Sequence, residues 1–164
     1  RLNNIVNQFL SLAKAQKLNL LSVNQKGFLE EILNLVKLEA EEKKISLISK
    51  ISSDASLKID KEEMKKAILN VILNGIQASE SGGKIFLETS KLNNYFLIKI
   101  SDTGKGIAKE DLPKIFQPYF TTKEKGTGLG LAIAHRIISD HKGKVEVESE
   151  VGKGTTFTIR LPLT

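Results

Sequence analysis

The sequence predicts an α+β fold, an α/β sandwich in which a mixed, largely antiparallel sheet carries its helices on one face. Two pairs of alternating segments, KIFLETSKL with YFLIKIS and KVEVESE with TTFTIRLPL, are each joined by a short turn. They are hairpins, not the strand-helix-strand alternation of a parallel sheet. Four other segments repeat apolar residues at helical spacing. At 164 residues the chain suits one domain with a short appendage and can bury a core without covalent staples.

The first segment, RLNNIVNQFLSLAKAQ, sets Leu2, Ile5, Val6, Phe9, Leu12 and Ala13 on one stripe of the kind that packs in a helix bundle. With no capping residue ahead of it, it reads as a helix cut from something longer. LNLLSV, residues 18–23, has no stripe and is expected to be an extended connector. Asn24 can cap a second helix whose inward face is Phe28, Leu29, Ile32, Leu33 and Val36, with Lys43 and Lys44 near its negative end. ISLISKI, residues 45–51, is a strand, followed by a turn and a short strand at 57–59. Asp60 caps a third helix with Met64, Ala67, Ile68, Val71, Ile72 and Ile76 inward, stopped by Ser81, Gly82 and Gly83. The first hairpin turns at Asn93 and Asn94, and the second at 152–154. Between the hairpins lies a stretch from 102 to 128, rich in Gly, Thr and Lys, and then a helix beginning near Gly128. A loop that long inside a domain is usually functional.

Composition removes several classes of function. Cysteine is absent, which excludes disulfides and thiolate metal sites and suits a reducing, cytoplasmic setting. No apolar run reaches a membrane span and no signal peptide opens the sequence, so no membrane contact by this segment is expected. The net charge of +6 comes from 25 Lys+Arg against 19 Asp+Glu, scattered without interleaved aromatics. That pattern is a solvated surface, and no nucleic acid partner is expected.

Three short motifs can carry chemistry. Asn70 and Asn74, four apart in NVILNGIQAS, share a helix face although asparagine is a mediocre helix former. An amide oxygen is a hard, uncharged ligand suited to Mg2+, which binds protein through one or two oxygens plus substrate phosphates; two exposed polar residues would look the same. SDTGKGI, residues 101–107, ends a strand with an aspartate able to accept from an exocyclic amine and with glycines that admit a flat ligand, or else it is a plain turn. GTGLGLA, residues 126–132, puts glycines before a helix N-terminus, where free N–H groups favour phosphate. A dinucleotide fold is disfavoured, because the glycines follow a long loop and the parallel topology is missing, even if Glu146 or Glu148 stood as its acidic residue. No Walker lysine or GxSxG occurs, and His135 and His141, six apart, do not share a face as zinc ligands would.

Taken together, residues 70–79, 102–107, 115–123 (IFQPYFTTK), 126–132 and 152–157 (GKGTTF) resemble the N, G1, F, G2 and G3 boxes of sensor histidine kinases, in the family's order and spacing, over the chain from about residue 20 to the end. The resemblance implies the Bergerat ATP-binding fold, with ATP and Mg2+ held between helices under a mobile lid. It implies Asn74 as the Mg2+ ligand, supported by Asn70, and Asp102 as acceptor of the adenine amine, assisted through water by Thr155. Gly104 and Gly106 would shape the adenine pocket, and Gly126, Gly128 and Gly130 would border the triphosphate. Gln77, Ile107, Thr122, Thr127 and Leu129 complete the implied nucleotide contacts. The lid would run from about 117 to 127, tethered by Phe116 and Phe120.

Two positions depart from the pattern. Gyrase-like hydrolases place a catalytic glutamate where this chain has Asn70, and an amide cannot take a proton, so phosphoryl transfer is favoured over hydrolysis. Many histidine kinases have a lysine where this chain has Gln77, so the cation for the γ-phosphate is expected from the lid, as Lys123 before Lys125. Asn70, Asn74 and Lys123 are thus the expected catalytic set. The division expected is 1–17 as the end of a dimerisation and phosphoacceptor hairpin, 18–24 as linker and 25–164 as the ATP-binding domain. The implied partners are the chain's own hairpin with its acceptor histidine, a second copy in a homodimer, and a response regulator. Two other functions fit the same fold: a serine kinase of the anti-sigma-factor type, and a non-catalytic module that signals by lid state.

Overall fold

The computed structural model describes residues 2–52 and 55–163. Its elements are α1 (Leu2–Ala13), β1 (Leu21–Asn24), α2 (Gln25–Glu42), β2 (Ser46–Lys50), β3 (Ser56–Ile59), α3 (Lys61–Ala78), β4 (Lys84–Leu92), β5 (Tyr95–Asp102), a 3-10 turn (Leu112–Lys114), α4 (Gly130–Asp140), β6 (Lys144–Glu150) and β7 (Gly154–Pro162). The turn expected between β2 and β3 lies partly outside the described residues, as do Arg1 and Thr164 of the expected end segments.

The five main strands run in the order β2-β4-β5-β7-β6. Only β2, beside β4, is parallel to its neighbour, and the other three pairings are antiparallel. Alternation decides which face is covered. On β5, Phe96, Ile98, Ile100 and Asp102 are buried while Tyr95 and Lys99 are exposed, and on β7 Phe157, Ile159 and Leu161 are buried. That inner face meets the buried stripes of α2, α3 and α4, among them Ile32, Ile68, Ile72 and Ile138. The opposite face keeps polar residues such as Glu88, Lys99 and Glu146, as an antiparallel sheet with one wet side should.

Both predicted caps form. Asn24 accepts from the Gly27 amide at 3.0 Å and Asp60 from the Glu63 amide at 3.1 Å. All six apolar residues expected inward on α3 are buried. On α2, Phe28, Leu29, Ile32 and Val36 are buried, with Leu33 half-buried against them.

Three local features go beyond the sequence reading. The expected connector is tied into the fold, since β1 pairs antiparallel with β3 and the Asn19 amide donates to Asp60 Oδ2 at 2.9 Å. Lys43 caps α2 through its backbone, yet its ammonium donates to the carbonyls of Ile76, Gln77 and Ser79 at the end of α3. The two helices end side by side, and the free carbonyls within the lysine's reach are those of its neighbour. The final helix starts at Gly130, two residues after Gly128, because the φ of +71° at Gly128 is incompatible with a helix.

α1 buries none of its residues. It touches the rest through Leu12, through Lys14 O accepting from Arg136 Nη2 at 2.8 Å, and through Gln8 Oε1 accepting from Thr127 Oγ1 at 3.4 Å. Leu2, Val6, Phe9 and Leu10 stand exposed. Among the described residues no helix is long and apolar enough to cross a membrane.

Candidate functional site

Where the inner faces of α3, β5 and β7 reach the long loop, they enclose a cavity of about 580 Å³, a size suited to a small cofactor or nucleotide. Its wall includes Asn70, Asn74, Gln77, Gly106, Ile107, Thr122, Lys123, Gly126, Thr127, Gly128, Gly130 and Thr155. Asp102, Gly104 and Leu129 stand just behind that wall. Five motifs spread over nearly ninety residues of sequence therefore meet at one place.

Asp102 is the last residue of β5, paired across the sheet with Ile85 on one side and Thr155 on the other. Even-numbered β5 residues face inward, so its carboxyl points into the core and is 8% exposed. Oδ1 accepts from the Gly104 amide at 2.8 Å and the Thr155 amide at 3.3 Å, and Oδ2 takes part in neither bond. Burial pushes this carboxyl above the ordinary aspartate range, and the two amides and the Lys123 charge only partly offset it. Thr155 also bonds Ser149 through its hydroxyl at 2.8 Å.

The glycines here serve close backbone approach. A Cβ on Gly104 would lie 2.7 Å from the Ala78 carbonyl oxygen. Gly106 has φ +74° and packs its backbone against Glu150 at the β6–β7 turn, where no side chain fits.

Asn70 and Asn74 project from α3 toward the opposite wall. Asn70 Nδ2 donates to the Gly130 carbonyl at 3.1 Å, which fixes the amide and ties α3 to the start of α4. Asn74 Oδ1 accepts from Lys123 Nζ at 3.0 Å, and Gln77 Oε1 accepts from the same ammonium at 2.8 Å. The loop lysine thus lies against α3, on Gln77 and on Asn74 one turn before it. Burial lowers its pKa first, then the nearby charges of Lys105 and Lys43, with Asp102 opposing them. Lys105, Lys123 and Lys125 reach the wall against one carboxylate there, Asp111, so the chamber favours an anion.

The loop from 117 to 127 folds over this chamber, closed by the Tyr119 amide donating to Gly128 O at 2.9 Å. Phe120 and Phe116 pack against the core at its root, and Phe116 lies 5.0 Å from the His135 ring and 6.2 Å from that of Phe157. The α4 N-terminus has no side-chain cap. Leu129 is fully buried in the core, so its side chain offers the cavity nothing directly.

Neither histidine lines the cavity. His141 is buried, accepting from the Asp60 amide at Nε2 (3.0 Å) and facing Ile137 O through Nδ1 (2.7 Å). A ring engaged at both nitrogens is a structural tie between the end of α4 and the start of α3.

Some participants escape sequence reading. Gly75 lies beside Asp102, where a Cβ would come within 3.2 Å of the Asp102 Cβ and 3.0 Å of Ile85 Cδ1. A glycine inside a strongly helical stretch is a visible signal of close approach. Asp111 and Val151 also line the cavity, with no pattern to mark them, as does Lys105 within the 101–107 motif.

Residues 59–164 match the model of the histidine kinase-, DNA gyrase B- and HSP90-like ATPases. Sensor histidine kinase ZraS of Escherichia coli (strain K12) is 39% identical over 164 residues, covering 99% of this chain and 35% of ZraS. The chain thus spans about a third of that relative's length. ShkA, solved full-length in complex with AMPPNP, superposes with a TM-score of 0.90 at 29% identity, over 98% of this chain and 35% of that one. Histidine kinase ThkA, solved in complex with the response regulator TrrA, gives 0.86 at 28% identity, over 100% of this chain and 48% of that one. The chain belongs to the histidine kinase-, DNA gyrase B- and HSP90-like ATPase family, and over nearly its whole length it is similar to part of sensor histidine kinases.

Proposed function

We propose that this chain holds Mg-ATP for transfer of the γ-phosphoryl group to a histidine on a dimerisation hairpin, from which a response-regulator aspartate takes it. One observation carries the reading: Asn74 and Gln77 hold the Lys123 ammonium at the cavity wall, and the buried Asp102 carboxylate bonds the amide of Thr155, a residue of that same wall. In this reading Asp102 Oδ2 accepts the adenine amine, helped through water by Thr155, with Gly104, Gly106 and Ile107 forming the purine slot. The polyphosphate runs toward Gly126, Thr127, Gly128 and Gly130, under Thr122 and the amides at the start of α4. AMPPNP in the complex of the relative ShkA supports a nucleoside triphosphate in this cavity.

The donor set fits Mg2+. Asn74 Oδ1 is a hard neutral oxygen at the wall that already holds a cation, the Lys123 ammonium. Among the described residues no cluster of three His, Asp or Glu offers a rival metal site. Asn74 would be the protein ligand, and the ion when bound neutralises charge on the phosphates. Lys123 and Gln77 would face the terminal phosphate. Asn70, whose amide donates to Gly130 O, cannot accept a proton from water, which supports transfer over hydrolysis. In the transfer itself, an acceptor imidazole nitrogen bonds the γ-phosphorus as the bond to the β–γ bridging oxygen breaks and ADP leaves. Such a step needs positioning and charge neutralisation, with no protein nucleophile in the cavity.

The acceptor is neither histidine of this chain. His141 is engaged at both nitrogens, and His135, whose ring lies 5.0 Å from that of Phe116, is not part of the cavity wall. The exposed stripe of α1 suits packing against a further helix, and we assign residues 1–17 to that hairpin and 25–164 to the ATP-binding domain. The complex of ThkA with TrrA supports a response regulator as the onward partner.

The test supplies a longer polypeptide carrying the hairpin, with ATP and MgCl2. Acid-labile, base-stable phosphate on histidine is expected, abolished by Asn74→Ala while the melting transition stays cooperative. Acid-stable phosphoserine on a partner would instead assign a serine kinase, and nucleotide binding without transfer a signalling module.

A further inference from the structure

Lys123 is a lid residue whose ammonium reaches back to bond α3. Its half-buried side chain ends on Asn74 Oδ1 at 3.0 Å and Gln77 Oε1 at 2.8 Å, two oxygens about one helical turn apart. The lid backbone is shaped around that anchor: the Lys123 amide donates to Thr121 Oγ1 at 3.0 Å, and Lys123 O accepts from the Gly126 amide at 3.3 Å. The ammonium also sits among other cations, Lys105 and Lys43, with Asp102 as the opposing charge. An ammonium held there against like charge needs its oxygens, and the exposed Gln77 supplies the shorter of the two bonds.

The oxygen on Asn74 cannot serve two cations at once. A Mg2+ ion bound at about 2.1 Å and an ammonium at about 3 Å from the same oxygen would lie at most about 5 Å apart, where two cations repel and compete for its lone pairs. We propose that Gln77 is a positioning residue: with Asn74 it seats the Lys123 ammonium and latches the lid on α3, until the divalent cation arriving with nucleotide displaces the lysine from Asn74. Gln77 then keeps the released ammonium beside the cavity, where the terminal phosphate would meet it. The lid is therefore ordered by its own cation before nucleotide binds, and cation exchange at Asn74 is what frees it. This rests on Asn74 being the metal ligand, but the two ideas fail separately. The nucleotide-free protein reports the seat alone, and the Asn74→Ala transfer assay reports the ligand alone.

The experiment compares wild type, Gln77→Leu and Gln77→Glu without nucleotide, by amide hydrogen exchange over residues 119–128. Gln77→Leu should exchange there roughly tenfold or more faster, the factor expected for losing one hydrogen bond to a charged group. Gln77→Glu keeps an oxygen on the ammonium and should match or exceed wild-type protection, and α3 amides should not change. Equal lid exchange in wild type and Gln77→Leu would overturn the seat. Next, the Lys123 side-chain NH3+ resonance is followed with ATP and EDTA, then with ATP and MgCl2. The seated signal should survive the first and shift or vanish on adding MgCl2; a signal unmoved by MgCl2 would overturn the exchange.

Discussion

Asp102 combines a location and an environment that pull in opposite directions. Its position at the inward end of β5 sets it beside Thr155 of the cavity wall, while burial disfavours the charged form that an amine ligand needs. A carboxyl with a raised pKa in the free protein gains a proton while ordinary aspartates are still ionised. Adenosine, which has no titrating phosphate, should therefore bind more weakly as pH falls from neutrality toward that raised pKa, and Asp102→Asn should be weak with a flat profile. Calorimetry over that range checks it. The same sign applies to stability: a raised native pKa means the ionised carboxyl costs stability at neutral pH, a cost that fades as pH falls. At this scale the sequence shows residue type well and geometry poorly. That Asn74 shares a helix face with Asn70 was visible in their spacing, and both line the cavity. That Asn70 would use its NH2 group on Gly130 O was not, because the partner lies sixty residues away and meets it only through packing.

α3 shows how an element is tuned for its site. Glycine at 75 sacrifices up to about 1 kcal/mol of helix propensity relative to alanine. A methyl there would meet Asp102 and Ile85 at 3.2 and 3.0 Å, and overpacking of that kind costs about 1–3 kcal/mol. The two effects nearly cancel in stability but not in function, because the strain falls on Asp102. Gly75→Ala should lower the melting temperature by only a few degrees, roughly, yet weaken adenine nucleotide binding by roughly tenfold or more. Thermal melts and binding titrations separate the two. At the end of the same helix, Lys43 from α2 satisfies three carbonyls. Lys43→Met should cost about 1 kcal/mol in denaturant unfolding, and fraying near Gln77 should appear as faster amide exchange in the last turn. The elements themselves were legible: caps, apolar stripes and hairpin turns lie within a few residues of one another, and local physics decides them. The carbonyls that the Lys43 ammonium reaches were not legible for the opposite reason, since a lysine near two helix ends chooses by distance in space.

The whole molecule divides unevenly along its length. α1 buries no residue and is held by Leu12 and two hydrogen bonds, whereas residues 19–24 are bonded into the fold by Asp60 and β3. Removing residues 1–17 should therefore leave the melting temperature within a few degrees of the parent, roughly, whereas removing 1–24 also deletes β1 and the Asn24 cap and should cost at least about 1 kcal/mol more. Circular dichroism melts of the two truncations test this. From the sequence alone came the class of fold, the order of its elements, the buried faces and the five motifs, because each depends on spacing within one segment. Only the tertiary structure decided that Lys123 lies on Asn74 and Gln77, that Gly75 makes room for Asp102, and that His141 joins α4 to α3. Each of those contacts joins residues far apart in the chain, and their distances are set by how helices pack on a twisted sheet, which no local pattern encodes.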